Sequence, residues 1–140
     1  MSKIVLFGAS GQLGRDLLES SLFRPDDIVS APREMRLETE SSIGNFVKRE
    51  RPRWVVNAAA MTDVDAAHLD PHRALQVNGL APGILARAAD EVGARVIHIS
   101  SEAVYHGSKK EPYVEGEACQ PVSVYGASKL TGDLLTLTYS

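Results

Sequence analysis

Two groups of residues in this 140-residue sequence have the types and spacing to do chemistry. The first is Gly8-Ala9-Ser10-Gly11-Gln12-Leu13-Gly14, placed between an apolar run and a leucine-spaced stretch. Glycine at position 8 lets the chain turn tightly off a strand. At position 11 it permits close approach of a pyrophosphate, and at position 14 it lets a helix pack close to the sheet. Backbone N–H groups and the helix dipole then face the anion. The spacing is one residue wider at its start than the usual dinucleotide fingerprint. The second group is Tyr125 and Lys129 in Tyr125-Gly126-Ala127-Ser128-Lys129. Residues four apart share a helix face. An ammonium beside a phenol favours the phenolate, so the pair could exchange a proton with a carbonyl oxygen while hydride moves.

Other residues admit two readings. Arg33 follows the second apolar run, where an acid would meet a ribose hydroxyl. It either receives a 2′-phosphate, favouring NADP over NAD, or is a solvated surface arginine. Ser100, Ser101 and Glu102 end the fourth run, and a hydroxyl there could bond a substrate oxygen or simply close the strand. His68 and His72 are four apart among acids, but Pro71 between them reads as a helix start capped by Asp70, so no metal site is expected. His98 reads as a packed or site-lining residue. Trp54 and Phe46 read as core. Lys109-Lys110-Glu111 reads as a solvated loop.

The elements that must position these groups follow from periodicity. Strands are expected at Lys3 to Phe7, Ile28 to Ala31, Trp54 to Asn57 and Arg95 to Ser100. Helices are expected at Gln12 to Leu22, with Leu13, Leu17, Leu18 and Leu22 at helical spacing, and at Ser41 to Arg51, with Ile43, Phe46 and Val47 inward and Ser41 and Ser42 as caps. A long helix is expected from Pro71 to Val92, carrying Leu75, Leu80, Ile84, Leu85 and Ala88, with Pro82 inside it and Gly93 closing it. A last helix covers Val124 to Leu137, after a loop over 101–122. Alternation of strand and helix predicts an α/β fold: a Rossmann-like parallel sheet with helices on both faces, in one domain over 1–140. The fourth strand is then an apolar sheet edge, expected to recruit a partner.

Composition narrows the function classes. Fifteen Lys+Arg against 18 Asp+Glu give a net charge of -3, which argues against a nucleic-acid module. No apolar run approaches the ~20 residues of a membrane span. The apolar start ends at Gly8, too short for a signal-peptide core. The single cysteine, Cys119, cannot form an internal disulfide. A soluble, cytoplasmic protein is expected.

Taken in order, these pieces resemble the N-terminal half of the dTDP-4-dehydrorhamnose reductase family, extended short-chain dehydrogenase/reductases. The resemblance covers essentially the whole chain. It is carried by Leu6 to Gly14, Arg51-Pro52, Val56-Asn57-Ala58-Ala59-Ala60, Thr62, Val64-Asp65, Val77-Asn78, Ala81-Pro82, His98-Ile99-Ser100 and Pro121 to Leu130. It implies reduction of a nucleotide-sugar 4-keto group, with NADPH or NADH as cofactor and a small-molecule nucleotide sugar as substrate. It implies Tyr125 as proton donor, Lys129 as its partner and Ser101 in place of a catalytic threonine. Gly8, Ser10, Gly11, Gln12 and Leu13 resemble the pyrophosphate turn. Glu38 and Thr39 resemble a segment along the adenosine. Ala58, Ala59, Ala60, Met61 and Thr62 resemble the cofactor loop.

The sequence also departs from the family. Ser-Thr-Asp-Tyr-Val-Phe-x-Gly reads here Ser100-Ser101-Glu102-Ala103-Val104-Tyr105-His106-Gly107. Asp-Lys-Ala-Glu reads Asp65-Ala66-Ala67-His68. Family members are about twice as long, so the C-terminal substrate part is missing. The alternatives are a non-catalytic NAD(P)-binding module that regulates or scaffolds, or an inactive fragment. Neither nucleic acid nor membrane is expected as a partner. A homodimer or a partner chain is expected to cover the sheet edge.

Overall fold

The computed structural model describes residues 3–139; Met1, Ser2 and Ser140 of the expected 1–140 domain lie outside the described residues. Four strands, β1 (Ile4–Phe7), β2 (Ile28–Ser30), β3 (Trp54–Asn57) and β4 (Arg95–His98), form one parallel sheet in the order β2-β1-β3-β4. The helices are α1 (Gln12–Glu19), α2 (Glu40–Glu50), α3 (Val64–Leu69), α4 (Pro71–Ala74), α5 (Ala81–Asp90) and α6 (Val124–Leu137). A π-helical segment, Leu75–Leu80, joins α4 to α5. Short 3-10 turns occupy Pro25–Asp27 and Glu102–Val104. No helix among the described residues is long and apolar enough to cross a membrane.

The β-strands are short, and their β-branched and aromatic side chains suit a sheet buried on one face. Val5, Phe7 and Val55 meet Ile43, Phe46 and Val47 of α2 and Ala81, Leu85, Ala88 and Ala89 of α5, forming the core. Phe7 and Phe46 meet edge to face at 5.9 Å between ring centroids. Right-handed crossovers put α2 and α5 together on this face and α1 on the other. The α1 face is less covered: Ile97 is 45% exposed and Ile99 also reaches solvent.

Several expectations need correction. The first helix stops at Glu19, where Ser20 turns extended, and Leu22 is 84% exposed. Leu13 and Leu18 are exposed as well, so α1 touches the body chiefly through Gly14. Ser41 and Ser42 lie inside α2, whose N-cap is Thr39 and whose C-cap Arg51 takes a left-handed φ of 44° before Pro52. The long helix is not uniform. Pro82 can supply no N–H to the preceding turn, and the backbone widens to π geometry there, with Ala81 N–H donating to Gln76 O. Leu75 and Leu80, which helped to mark the helix in the sequence, are exposed. Gly93 follows at φ 71°, the left-handed conformation that ends a helix. The fourth strand ends at His98, two residues early. Trp54 is half-buried at the rim of the sheet, with the Arg95 guanidinium over its ring at 5.5 Å, while Phe46 is core as expected.

These burials separate two leucines of equal chemistry. Leu85→Ala should cost about 2–5 kcal/mol by cavity formation. Leu22→Ser should stay within about 0.5 kcal/mol. Urea unfolding followed by circular dichroism measures both, and equal effects would contradict the packing described.

Candidate functional site at the carboxyl ends of the strands

Register brings Phe7, Asn57 and His98 into one row across β1, β3 and β4. The segments that follow them, Gly8 to Gly14, Ala58 to Thr62 and Ile99 to Ser101, therefore share one edge of the sheet. Ligands of open α/β sheets bind at this edge.

The glycine turn is built by close approach. Gly8 has φ 85°, and a Cβ there would sit 2.6 Å from Ala58 C and Ala59 N. Gly14 is packed against the same turn, since a Cβ would overlap Gly8 O. Gly11 differs: a Cβ would meet only Gly8 O at 3.3 Å. It is the N-cap of α1, with extended backbone and no side-chain cap, and its N–H donates to Gly8 O at 3.0 Å. Ser10, Gly11, Gln12 and Leu13 are exposed around it. The first N–H groups of α1 thus face open space, which suits a pyrophosphate.

The loop after β3 is held by a residue that periodicity did not single out. Asn78, in the π segment and 1% exposed, accepts from Met61 N–H at 2.8 Å and donates to Met61 O at 3.0 Å and to Ser128 Oγ at 3.0 Å. One amide therefore ties Met61 to α6. The widened helix lets α6 come close: a Cβ at Gly132 would overlap Asn78 O.

The residues expected to handle a proton stand at the other end of this edge. Ser123 caps α6 by accepting from Gly126 N–H at 3.0 Å, which places Tyr125 in the first turn, half-buried. Lys129, one turn on, is 2% exposed and donates from Nζ to Ile99 O at 2.6 Å. Burial pushes its pKa down, and the nearby Asp133 carboxylate opposes that shift. Ser101 Oγ accepts from Ala103 N–H at 3.2 Å and donates to Glu102 Oε2 at 3.0 Å, so it caps the 3-10 turn. Gly126 lies directly on that turn, where a Cβ would overlap Ala103 O. Thus α6 and the Ser101 turn are locked together.

The expected adenosine residues lie further out. Glu38 and Thr39 line a polar cleft of about 760 Å³ with Arg36, Asp70, His72 and Arg73, and Glu38 pairs with Arg73 Nε at 3.4 Å. Arg33 is exposed in the turn after β2, outside that lining. Asp70 caps α4 by accepting from Arg73 N–H at 3.0 Å, as the proline pattern predicts.

Beneath the site, the His98 side chain is buried. Its pKa falls from 6.5 to about 4, through burial first and Lys129 second, with Asp133 opposing. The packing of His98 matches its reading from the alternating strand. Asp133 was not singled out from the sequence, and its place four residues past Lys129 is the signal that could have found it.

Residues 2–140 match the family described as RmlD substrate binding domain. The chain belongs to this family. Among its relatives, the dTDP-4-dehydrorhamnose reductase of Burkholderia thailandensis is 42% identical over 132 residues, covering 94% of this chain and 44% of that protein. The dTDP-4-dehydrorhamnose reductase of Shigella flexneri is 37% identical over 134 residues, covering 93% and 45%. The Bacillus anthracis dTDP-4-dehydrorhamnose reductase, solved in complex with NADP, superposes with a TM-score of 0.91 at 30% identity, covering 99% of this chain and 50% of that one. The chain therefore spans about half the length of the relatives it matches. The family frame agrees with the α/β reading and with the resemblance found in the motifs.

Two predictions follow from this geometry. Gly126→Ala puts a methyl on the Ala103 carbonyl, so it should destabilise the chain by more than about 1 kcal/mol. A surface Ala such as Ala127→Gly tests mere helix propensity, at about 1 kcal/mol or less. Thermal unfolding compares the two. For His98, the folded pKa lies below the unfolded one, so unfolding takes up a proton below pH 6.5. Its contribution to stability is full above that pH and is lost as pH falls toward 4, at up to about 1.4 kcal/mol per unit. The ring resonances of His98 should stay those of a neutral imidazole at pH 5. A midpoint near 6.5 would contradict the burial.

Proposed function

We propose that this chain is the dinucleotide-binding and proton-handling part of an NADPH-dependent reductase acting on a nucleotide-sugar 4-keto group. NADH is the alternative cofactor, and dTDP-4-dehydrorhamnose is the substrate that the relatives' names suggest. One observation carries the reading: the open glycine turn, the Met61 loop and the Tyr125–Lys129 helix meet along one edge of the sheet. The residues fit a dinucleotide, because Gly11 leaves space where Gly8 and Gly14 do not.

In this reading the N–H groups of Gln12 and Leu13 bind the pyrophosphate, and Gly11, whose own N–H closes the turn onto Gly8 O, gives it room. Ala58, Ala59, Ala60, Met61 and Thr62 line the cofactor's path, and Glu38 and Thr39 its adenosine end. Arg33 meets the 2′-phosphate. Bound NADPH supplies a hydride to the carbonyl carbon. The Tyr125 hydroxyl gives its proton to the carbonyl oxygen as negative charge develops there. Lys129, held at Ile99 O, keeps a positive charge nearby that makes the phenol a better acid. Ser101 offers a hydroxyl to the same oxygen. The single cysteine fits a cytoplasmic setting, and the unpaired edge of β4 is assigned to a second copy or another chain.

A specific observation favours a second reading, binding without turnover: the Ser101 hydroxyl is already engaged in capping the 3-10 turn. Titration with NADPH and NADH, followed by nicotinamide fluorescence and thermal shift, tests the shared part. Gly11→Asp is the control, because Asp is a good N-cap and the variant should fold while setting a carboxylate in the anion site. Saturable binding that the control abolishes is expected, with NADPH preferred and the preference lost on Arg33→Ala. A folded chain that binds neither would sink both readings. Turnover of dTDP-4-dehydrorhamnose by the binding-competent chain separates them.

A further inference from the structure

The polar groups beneath the site form one directed row, in which hydrogen bonds and one longer polar contact follow each other. Ala59 N–H donates to Asn57 Oδ1 at 3.2 Å. That bond fixes the amide, leaving its NH2 toward His98 Nδ1 at 3.1 Å. An amide NH2 only donates, so Nδ1 accepts and the ring proton sits on Nε2. Nε2 faces Asp133 Oδ1 at 3.5 Å. Both atoms are buried and have no hydrogen-bond partner among the described residues, so each is the other's natural counterpart. Ser100 Oγ donates to the second oxygen, Oδ2, at 2.5 Å. Each step therefore points from the loop after β3 toward the carboxylate on α6.

Lys129 and Asp133 lie one turn apart on α6 and reach consecutive residues of the chain leaving β4. Lys129 takes the carbonyl of Ile99, and Asp133 takes the hydroxyl of Ser100. Two such grips on adjacent residues fix both the position and the rotation of the strand end. The next residue is Ser101. His98 is neutral well below pH 7, so Nε2 presents an N–H toward the Asp133 carboxylate at 3.5 Å, a longer polar contact and not an ion pair.

We propose that Asp133 is a positioning residue of the site: it orients His98 and grips Ser100, so that the Ala59 loop, the Lys129 anchor and Ser101 keep one register. The proposal rests on the dinucleotide-binding reading above for its functional consequence, and on geometry alone for the clamp.

The test uses the full chain and two readouts. Nitrogen-15 NMR of the imidazole reports the His98 tautomer, and the Ala59 amide resonance reports the far end of the network. The wild type should show a single Nε2–H tautomer. Asp133→Ala should keep the Nε2–H tautomer that Asn57 sets, but move the Nε2 resonance, displace the Ala59 amide and weaken NADPH binding by roughly tenfold, as expected for loss of a charge-assisted hydrogen bond. Asp133→Asn keeps an acceptor facing Nε2 and should restore the Nε2 resonance and most of the affinity. A folded Asp133→Ala chain with wild-type Nε2 and Ala59 shifts would overturn the clamp. Changed NMR signals with unchanged NADPH affinity would overturn the positioning role. A wild type that shows the tautomer but binds no NADPH would remove the dinucleotide reading, with the NMR arm alone deciding the clamp. If Asp133→Ala does not fold, Ser100→Ala removes one grip only. It should weaken NADPH binding by about threefold, and no change in affinity or Ala59 shift would overturn the proposal.

Discussion

A lysine carrying its charge into the interior sets the strongest constraint on this molecule. The Lys129 ammonium is nearly sealed from solvent, and a buried charge is costly unless groups of opposite polarity surround it. Here the compensation comes from one backbone carbonyl, Ile99 O, and one carboxylate, Asp133. Both must stand where Nζ ends. The end of β4 and the middle of α6 therefore cannot move independently. The short length of β4 follows the same logic: the chain leaves the sheet at His98 and offers its next carbonyl to the helix.

Bringing α6 that close to the body requires backbone-to-backbone contact. Two glycines provide it, Gly126 against Ala103 O and Gly132 against Asn78 O, while Gly79 makes room for the Thr131 side chain. The second of these meets the π segment, where Pro82 has already disturbed the helical ladder. Asn78 sits in that segment and uses its side chain to hold Met61 and Ser128. The irregular helix is thus tied to the candidate site through two contacts. Its backbone admits α6, and its side chain fixes the loop after β3.

Much of this fold is legible in the sequence, because its signals are local. An apolar run of four, Ile4 to Phe7, marks β1, and one of three between Arg53 and Asn57 marks β3. Ser123 and the leucines mark α6, and the glycine spacing marks the turn before α1. The failures share a different cause. Leu22 and Leu80 fit a helical period, yet period alone cannot say whether a second surface exists to bury them. The π geometry at 75–80 depends on Pro82 and on the approach of α6, which no window of one helix contains. Asn57, His98 and Asp133 come from β3, β4 and α6, so their row of polar contacts has no sequence spacing to display. The candidate site was visible where single motifs carry it, at Gly8 to Gly14 and at Tyr125 with Lys129. The residues that hold those motifs in place were not.

The parts of the site also differ in how much freedom they retain. The glycine turn and the Met61 loop present backbone atoms, which have no rotamers to lose. Lys129 and Ser101 are side chains, but each is held by hydrogen bonds at its tip. Tyr125 is half-buried, and no hydrogen bond among the described residues holds its hydroxyl. Catalysis by positioning favours this division. In the proposed reaction, the groups that would bind and polarise are fixed in advance, while Tyr125, which would follow an oxygen as its charge develops, keeps its torsional freedom. The energetic burden of precision then falls on buried polar brackets and glycine contacts behind the site, and substitutions there should disturb it as severely as substitutions in it.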